Sequence, residues 1–216
     1  MGWRKIKRGK RSMDLGSTAP IDCSDIYDRD MQKIFRALKA YGPYGVSILI
    51  LVYLLTDSTK NFLHIYTAVI FLGLGSYFYH RFLHILPVNA INAHIYVHHS
   101  PHKTISRTLD LILEMLPPIV YISSLLLLQE FVNIHIVPHN VAFLGGLYYM
   151  SYHIINYSIF GSSFHEKHHK YKNVNFTPDF CDHIFGTNAT EEFEDMSHMI
   201  PNIIVSYLVT CYLFNM

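Results

Sequence analysis

From about residue 40 onward, long apolar stretches alternate with short polar breaks, the rhythm of helices that cross a bilayer. Residues 40–56 form the first such stretch, closed by Asp57. Residues 61–80 form the second and contain no Lys, Arg, Asp or Glu. So short a break between them predicts a helical hairpin. The third stretch, 111–131, carries Glu114 and the pair Pro117-Pro118 close to its start, which predicts a break or kink there. A fourth covers 139–161. Residues 199–216 are apolar but short and contain Pro201; they could lie in the interface, pack on the protein or cross the bilayer. Ahead of the first span, Met31, Ile34, Phe35 and Leu38 recur on one helical face, with Lys33, Arg36 and Lys39 elsewhere. Such a helix lies at a membrane surface or packs as an ordinary helix. The pattern divides the chain into a basic tail with an amphipathic helix (1–43), a membrane domain (44–198) and an apolar C-terminal segment (199–216).

Composition agrees with this pattern. Half of the 216 residues are hydrophobic and 15% are charged, below the roughly 25% of an ordinary soluble domain. A net charge of +1 gives no global field for nucleic acid. Basic residues fall on alternate sides of the spans. Arg4, Lys5, Lys7, Arg8, Lys10 and Arg11 crowd the N-terminal tail, a solvated segment that also suits contact with anionic lipid. Arg81, Lys103 and Arg107 follow the second span, and Lys167, Lys170 and Lys172 follow the fourth. The break at 130–138 has no Lys or Arg. The positive-inside rule places the basic segments in the cytosol. Sequons at Asn156, Asn175 and Asn188 are then expected to stay unglycosylated. Cys23, Cys181 and Cys211 match no metal or disulfide spacing and suit a reducing compartment. The first apolar run begins too far along the chain for a secretory signal.

Fifteen histidines are the outlying count. His80 and His84 stand one helical turn apart at the end of the second span. His94, His98 and His99 follow shortly after. His153 lies in the fourth span, and His165, His168 and His169 come just beyond it. One HxxxH pair is a weak signal, but three clusters in one short chain are not. Two spans separate the early clusters from the late ones, so the chain returns to the same side and all nine can converge. Neutral imidazoles bind Zn, Cu, Fe or Ni. One ion takes roughly three or four protein ligands, so eight or nine histidines point to two metals.

These motifs resemble those of the fatty acid hydroxylase superfamily, the membrane histidine-box oxygenases that include sterol desaturases and fatty acid hydroxylases. The matching residues are His80-Arg-Phe-Leu-His84, His94-Ile-Tyr-Val-His98-His99, His153, His165-Glu-Lys-His168-His169 and the closing Asp182-His-Ile-Phe-Gly-Thr187. They span about 60–190, most of the chain. The resemblance implies an all-α, integral membrane four-helix bundle of two helical hairpins, with a cytosolic helical cap carrying a histidine-rich dimetal site. It implies two Fe ions, O2 as oxidant, a lipid substrate (fatty acyl, sphingoid or sterol), and electrons from NAD(P)H through a separate cytochrome b5 and reductase. An endoplasmic reticulum-type membrane with the site facing the cytosol follows if the source is eukaryotic. Hydroxylation and desaturation share these motifs. The chain departs from the family in three places. Its second box has one extra residue, so either His94 or His102 completes it. Asn156 and Tyr157 stand where a further ligand is common. The stretch from His169 to Asp182 is short.

Asp182 is a candidate partner for a ligating imidazole or, equally, a loop-structuring residue, and Gly186 suits a tight turn. Phe143, Tyr148, Tyr149 and Tyr152 either line a lipid tunnel or serve packing. Two other classes compete. His165-Glu166-x-x-His169 fits the zinc-protease pattern, with Glu166 as base. A non-enzymatic metal carrier or transporter would place its ligands near the bilayer midplane instead.

Overall fold

The computed structural model describes residues 23–56, 61–87, 92, 94–99, 106–171 and 173–216; for 23–30, 97 and 107 it describes only the backbone. The basic tail, the break at 57–60, His102, Lys103 and Lys172 lie outside the described residues. Every regular element among those described is helical: α1 (Cys23–Leu55), α2 (Phe62–Ile85), a π-helix (His94–His98), α3 (Arg107–Glu114), α4 (Leu116–Val132), α5 (His139–Tyr152) with a second π-helix (His153–Ile159), α6 (Ser163–Tyr171), α7 (Asp179–Phe185), a 3-10 turn (Met196–Met199) and α8 (Ile200–Phe214). Residues 23–35 belong to a separate unit and are helical backbone of α1. The core and the site lie within Arg36–Met216. Helix α1 runs without a break through residue 43, with Pro43 inside it.

Local chemistry sets the helix ends. Asn61 Oδ1 accepts the His64 N–H at 2.8 Å and caps α2, and Ser106 Oγ does the same for α3 from Leu109 at 3.3 Å. The expected break in the third span is real. α3 ends at Glu114, and Pro117 and Pro118 occupy the first turn of α4, where their missing N–H groups cost nothing. Asn133, with φ of 53°, closes α4 in the left-handed conformation. Gln129 then reaches across to Val137, donating to its carbonyl at 3.0 Å and accepting its N–H at 2.7 Å.

Among the described residues, four helical stretches are long and apolar enough to cross a membrane: Met31–Leu55, Phe62–Ile85, Thr108–Val132 and Met196–Phe214. Three are those expected. The fourth is the C-terminal run, whose role the sequence leaves open, and not 139–161. That segment is helical from His139 to Ile159, but its histidines, asparagines and tyrosines make it more polar than the other four. The reason is its position. α5 packs against α2, α4 and α8 and buries Val141, Ala142, Leu144 and Gly146. A helix ringed by other helices need not dissolve in lipid. Its neighbours face outward instead: among the described residues of α4 only Pro118 and Gln129 are buried, while Leu127 and Phe131 are 70% and 88% exposed. So large an apolar exterior marks a surface meant for something other than water. The core is Leu51, Val52 and Leu55 of α1, Ile65, Ala68 and Leu72 of α2, Val137 ahead of α5, Val141, Ala142 and Leu144 of α5, and Ile203 of α8.

Candidate metal centre

The histidines gather at one end of this core. His80 and His84 occupy the last turns of α2. Asn92 donates to the Leu83 carbonyl at 2.7 Å and so ties the next segment to that helix end. His94 to His98 then form a π-helix, in which the His99 N–H reaches the His94 carbonyl five residues back, at 3.3 Å. This wider turn accounts for the extra residue in the second box. In an α-helix, positions four apart align; here His94 and His99, five apart, share a side. His98 is thereby turned elsewhere.

Two groups result. His80, His84, His94, His99 and His168 each present a ligand atom within 4.8 Å of the others, and His98, His165 and His169 form a second such set. His98 and His99, adjacent in sequence, go to different groups. The groups adjoin, with the rings of His99 and His169 stacked at 4.5 Å. His153 stands beside the second set, 4.9 Å from the His165 ring and 5.5 Å from that of His98. His94 is thus placed among the expected ligands, whereas its rival His102 lies outside the described residues.

The arrangement suits cations. His80 Nδ1 donates to the Phe176 carbonyl and His168 Nδ1 to the Val174 carbonyl, both at 2.6 Å. Their Nε2 atoms are then bare lone pairs directed into the cluster. His168 Nε2 has no hydrogen-bond partner among the described residues, and neither ring nitrogen of His99 has one. His94 Nε2 lies 2.9 Å from His80 Nε2 and 3.2 Å from His84 Nε2, and His169 Nε2 lies 2.9 Å from His165 Nε2. One proton on His94 cannot serve both neighbours well. An ion bound at about 2.1 Å would accept every lone pair and hold adjacent donors about 3 Å apart. Burial keeps these groups neutral and ready to ligate: it pushes His94, His99 and His165 well below the usual 6.5, and His168 down to about 3, with neighbouring imidazoles adding to the effect.

Asp182 does not touch an imidazole. Its Oδ1 accepts from the Phe176 N–H at 2.8 Å and from Thr187 Oγ1 at 2.7 Å, and its Oδ2 from the Thr177 N–H at 2.9 Å. Of the two roles open to Asp182, these bonds serve the loop-structuring one: Asp182 shapes the loop whose carbonyls accept from His80 and His168. Gly186, at φ 66°, makes the left-handed turn that ends α7. Burial raises Asp182 to about 6 in spite of its three donors.

Three residues of the site escape a reading based on histidines. Glu114 and Asp110, both buried, form a set with His98; a carboxylate inside an apolar span is the signal that could have drawn attention to Glu114. Tyr157 stacks on His165 at 4.9 Å and donates to Glu194 Oε2 at 2.9 Å. An apolar cavity reaches the centre from the helical core. His80, His94 and His153 line one part of it, and Ile48, Leu51, Val69, Leu72 and Ile122 another. Tyr148, Tyr149 and Tyr152 line it as well, whereas Phe143 packs on Phe214 instead. A separate polar pocket is lined by His98, His165, His169, Glu114 and Glu166.

Compared with known proteins, the chain matches no family model, no curated protein and no solved structure. A helical fold with four membrane-length apolar helices and gathered histidines is what its own residues establish.

Proposed function

We propose that the chain is a membrane-embedded di-iron oxygenase that hydroxylates or desaturates a lipid, drawing electrons from a separate carrier protein. One observation carries this reading: an apolar cavity ends on histidines of a two-group, metal-ready cluster. An apolar chain that enters between the helices would meet the centre without leaving a dry environment. Bound irons would supply O2 activation, and the protein would position the C–H bond and exclude water. His80, His84, His94, His99 and His168 would hold one ion. His98, His165 and His169, with His153 beside them, would hold the other. Order and spacing of the motifs support assignment to the fatty acid hydroxylase superfamily. In this reading α1 with α2, and α4 with α5, are the two hairpins, α6 and α7 belong to a cytosolic cap, and α8 adds a further crossing. Alternation of basic segments favours a cytosolic centre, as in an endoplasmic reticulum-type membrane.

The test is expression in cells that lack their own sterol and fatty acid hydroxylases, with lipid profiles compared between the wild type and His168→Ala. A hydroxylated or newly unsaturated lipid that requires O2 and disappears in the variant is the expected result. Purified protein that binds no metal, together with an unchanged lipid profile, refutes the proposal.

A further inference from the structure

Glu114 is a buried carboxylate at the end of α3, within a stretch apolar enough to cross a membrane. Its Oε1 lies 3.0 Å from His98 Nδ1, and its Oε2 accepts from the Ser158 hydroxyl. It lines both the apolar cavity and the polar pocket, so it stands in the wall between them. We infer that Glu114 is a positioning residue: it fixes His98 so that Nε2 faces the second ion. This rests on the two-metal reading above.

The argument comes from the other ligands. His80 and His168 each commit Nδ1 to a backbone carbonyl, which leaves Nε2 for the cluster. At His98 a carboxylate oxygen stands 3.0 Å from Nδ1, a close contact that is not aligned as a hydrogen bond. An imidazole whose outer nitrogen donates to a carboxylate keeps one tautomer and becomes a more basic ligand. Glu114 itself is poorly placed to ligate beside His165 and His169. Donors to one ion at about 2.1 Å stand no more than about 4.3 Å apart, and Glu114 groups with His98 and Asp110 rather than with that pair. Ser158, on the second π-helix, holds the carboxylate from its other side. A buried carboxylate needs polar neighbours to offset the loss of water, and His98 and Ser158 stand beside it.

The test is titration of the metal-free, full-length protein in detergent with Co2+, following ligand-field absorption and bound ions per chain. Wild type is expected to bind two, and His165→Ala identifies the signal of the second. Glu114→Leu should weaken that second ion by about 10- to 100-fold and leave the first at its wild-type affinity. Glu114→Gln keeps an acceptor for Nδ1 without the charge and should fall between the two. Equal weakening of both ions would mean a merely structural role and overturns the inference, as does wild-type binding in both variants. Wild-type protein that takes up a single ion defeats the two-metal reading itself, and this inference with it.

Discussion

Asp182→Ala tests how the five-histidine group is held. The substitution strips an acceptor from three donors at once: the N–H groups of Phe176 and Thr177 and the hydroxyl of Thr187. A buried donor left unsatisfied costs about 1–3 kcal/mol; the Phe176 N–H bears this in full and the part-buried Thr177 N–H in part, while the Thr187 hydroxyl keeps Tyr77 Oη at 2.7 Å, so the gross loss is about 2–5 kcal/mol. An opposing effect reduces it. Burial raises the carboxyl from 3.8 to about 6, which means the charged form is disfavoured by about 3 kcal/mol, and alanine removes that penalty. A small net change, within about 2 kcal/mol, is the central expectation. The more specific effect is on metal. Without Asp182 the 173–178 loop keeps the bonds of Asn175 to Phe164, Thr187 and Ala189 but loses its hold on Phe176 and Thr177, so the Phe176 and Val174 carbonyls fix His80 and His168 less firmly. Binding of the ion at the five-histidine group should weaken by about 10- to 100-fold, the usual cost of removing an outer support. The other ion, which residues outside this loop would hold, should be weakened less. Co2+ titration in detergent and thermal unfolding measure the two effects, with Asp182→Asn, which keeps one oxygen, as an intermediate. If the five-histidine group binds its ion as tightly in Asp182→Ala as in wild type, the supporting role assigned to the loop is wrong.

Three further outcomes are expected. Acid should destabilise the metal-free protein: the unfolded chain takes up protons near 6.5, while burial holds His168 at about 3. Stability is therefore full above about pH 6.5 and falls toward pH 3, by up to about 1.4 kcal/mol per pH unit for each such histidine; an unfolding midpoint unchanged between pH 7.5 and 5 contradicts this. Gly73→Leu should project into the apolar cavity, because nothing among the described residues lies within 4 Å of where a Cβ would stand and Gly73 lines that space. Metal content should be unchanged and lipid product reduced or shifted in chain position, so a wild-type lipid profile would separate the cavity from the substrate. Glu166→Ala, at an exposed position of α6, should retain both metals and most activity; complete loss of activity with metal retained would favour the metalloprotease-type base.

The histidine spacings made the site legible before any coordinates, because i, i+3 and i+4 positions align on an α-helix. They could not show how the residues divide. That division depends on the π-turn at His94–His98, where an i to i+5 bond sends His99 toward His80 and leaves His98 for His165. Read as a motif, the same extra residue looks like a defect. Apolar length likewise found the helices but misjudged which of them are the most apolar. α5 carries polar residues because α2, α4 and α8 shield it, and shielding is a property of packing. Asp182 was legible as a residue of interest, yet its bonds run to backbone N–H groups, which sequence spacing does not reveal. Glu114 was visible only as an oddity in an apolar run, since its partner His98 comes from an element outside that run.

The two groups are supported by different means, and this asymmetry bears on what each can do. In the five-histidine group, His80 and His168 lean on neutral backbone carbonyls of one loop. In the other, the Glu114 carboxylate stands 3.0 Å from His98 Nδ1, and an aligned hydrogen bond between them would give an ion there a more electron-rich ligand. Access differs too. His80, His94 and His153 border the apolar cavity, whereas His98, His165 and His169 border the polar pocket. A hydrocarbon is better accommodated on the first side, and water or a small polar molecule on the second. An oxygenase has to bring a greasy substrate and small co-reactants to one centre by routes that do not mix them. Two unlike pockets on either side of Glu114, each lined by histidines of the cluster, would suit that proposed chemistry.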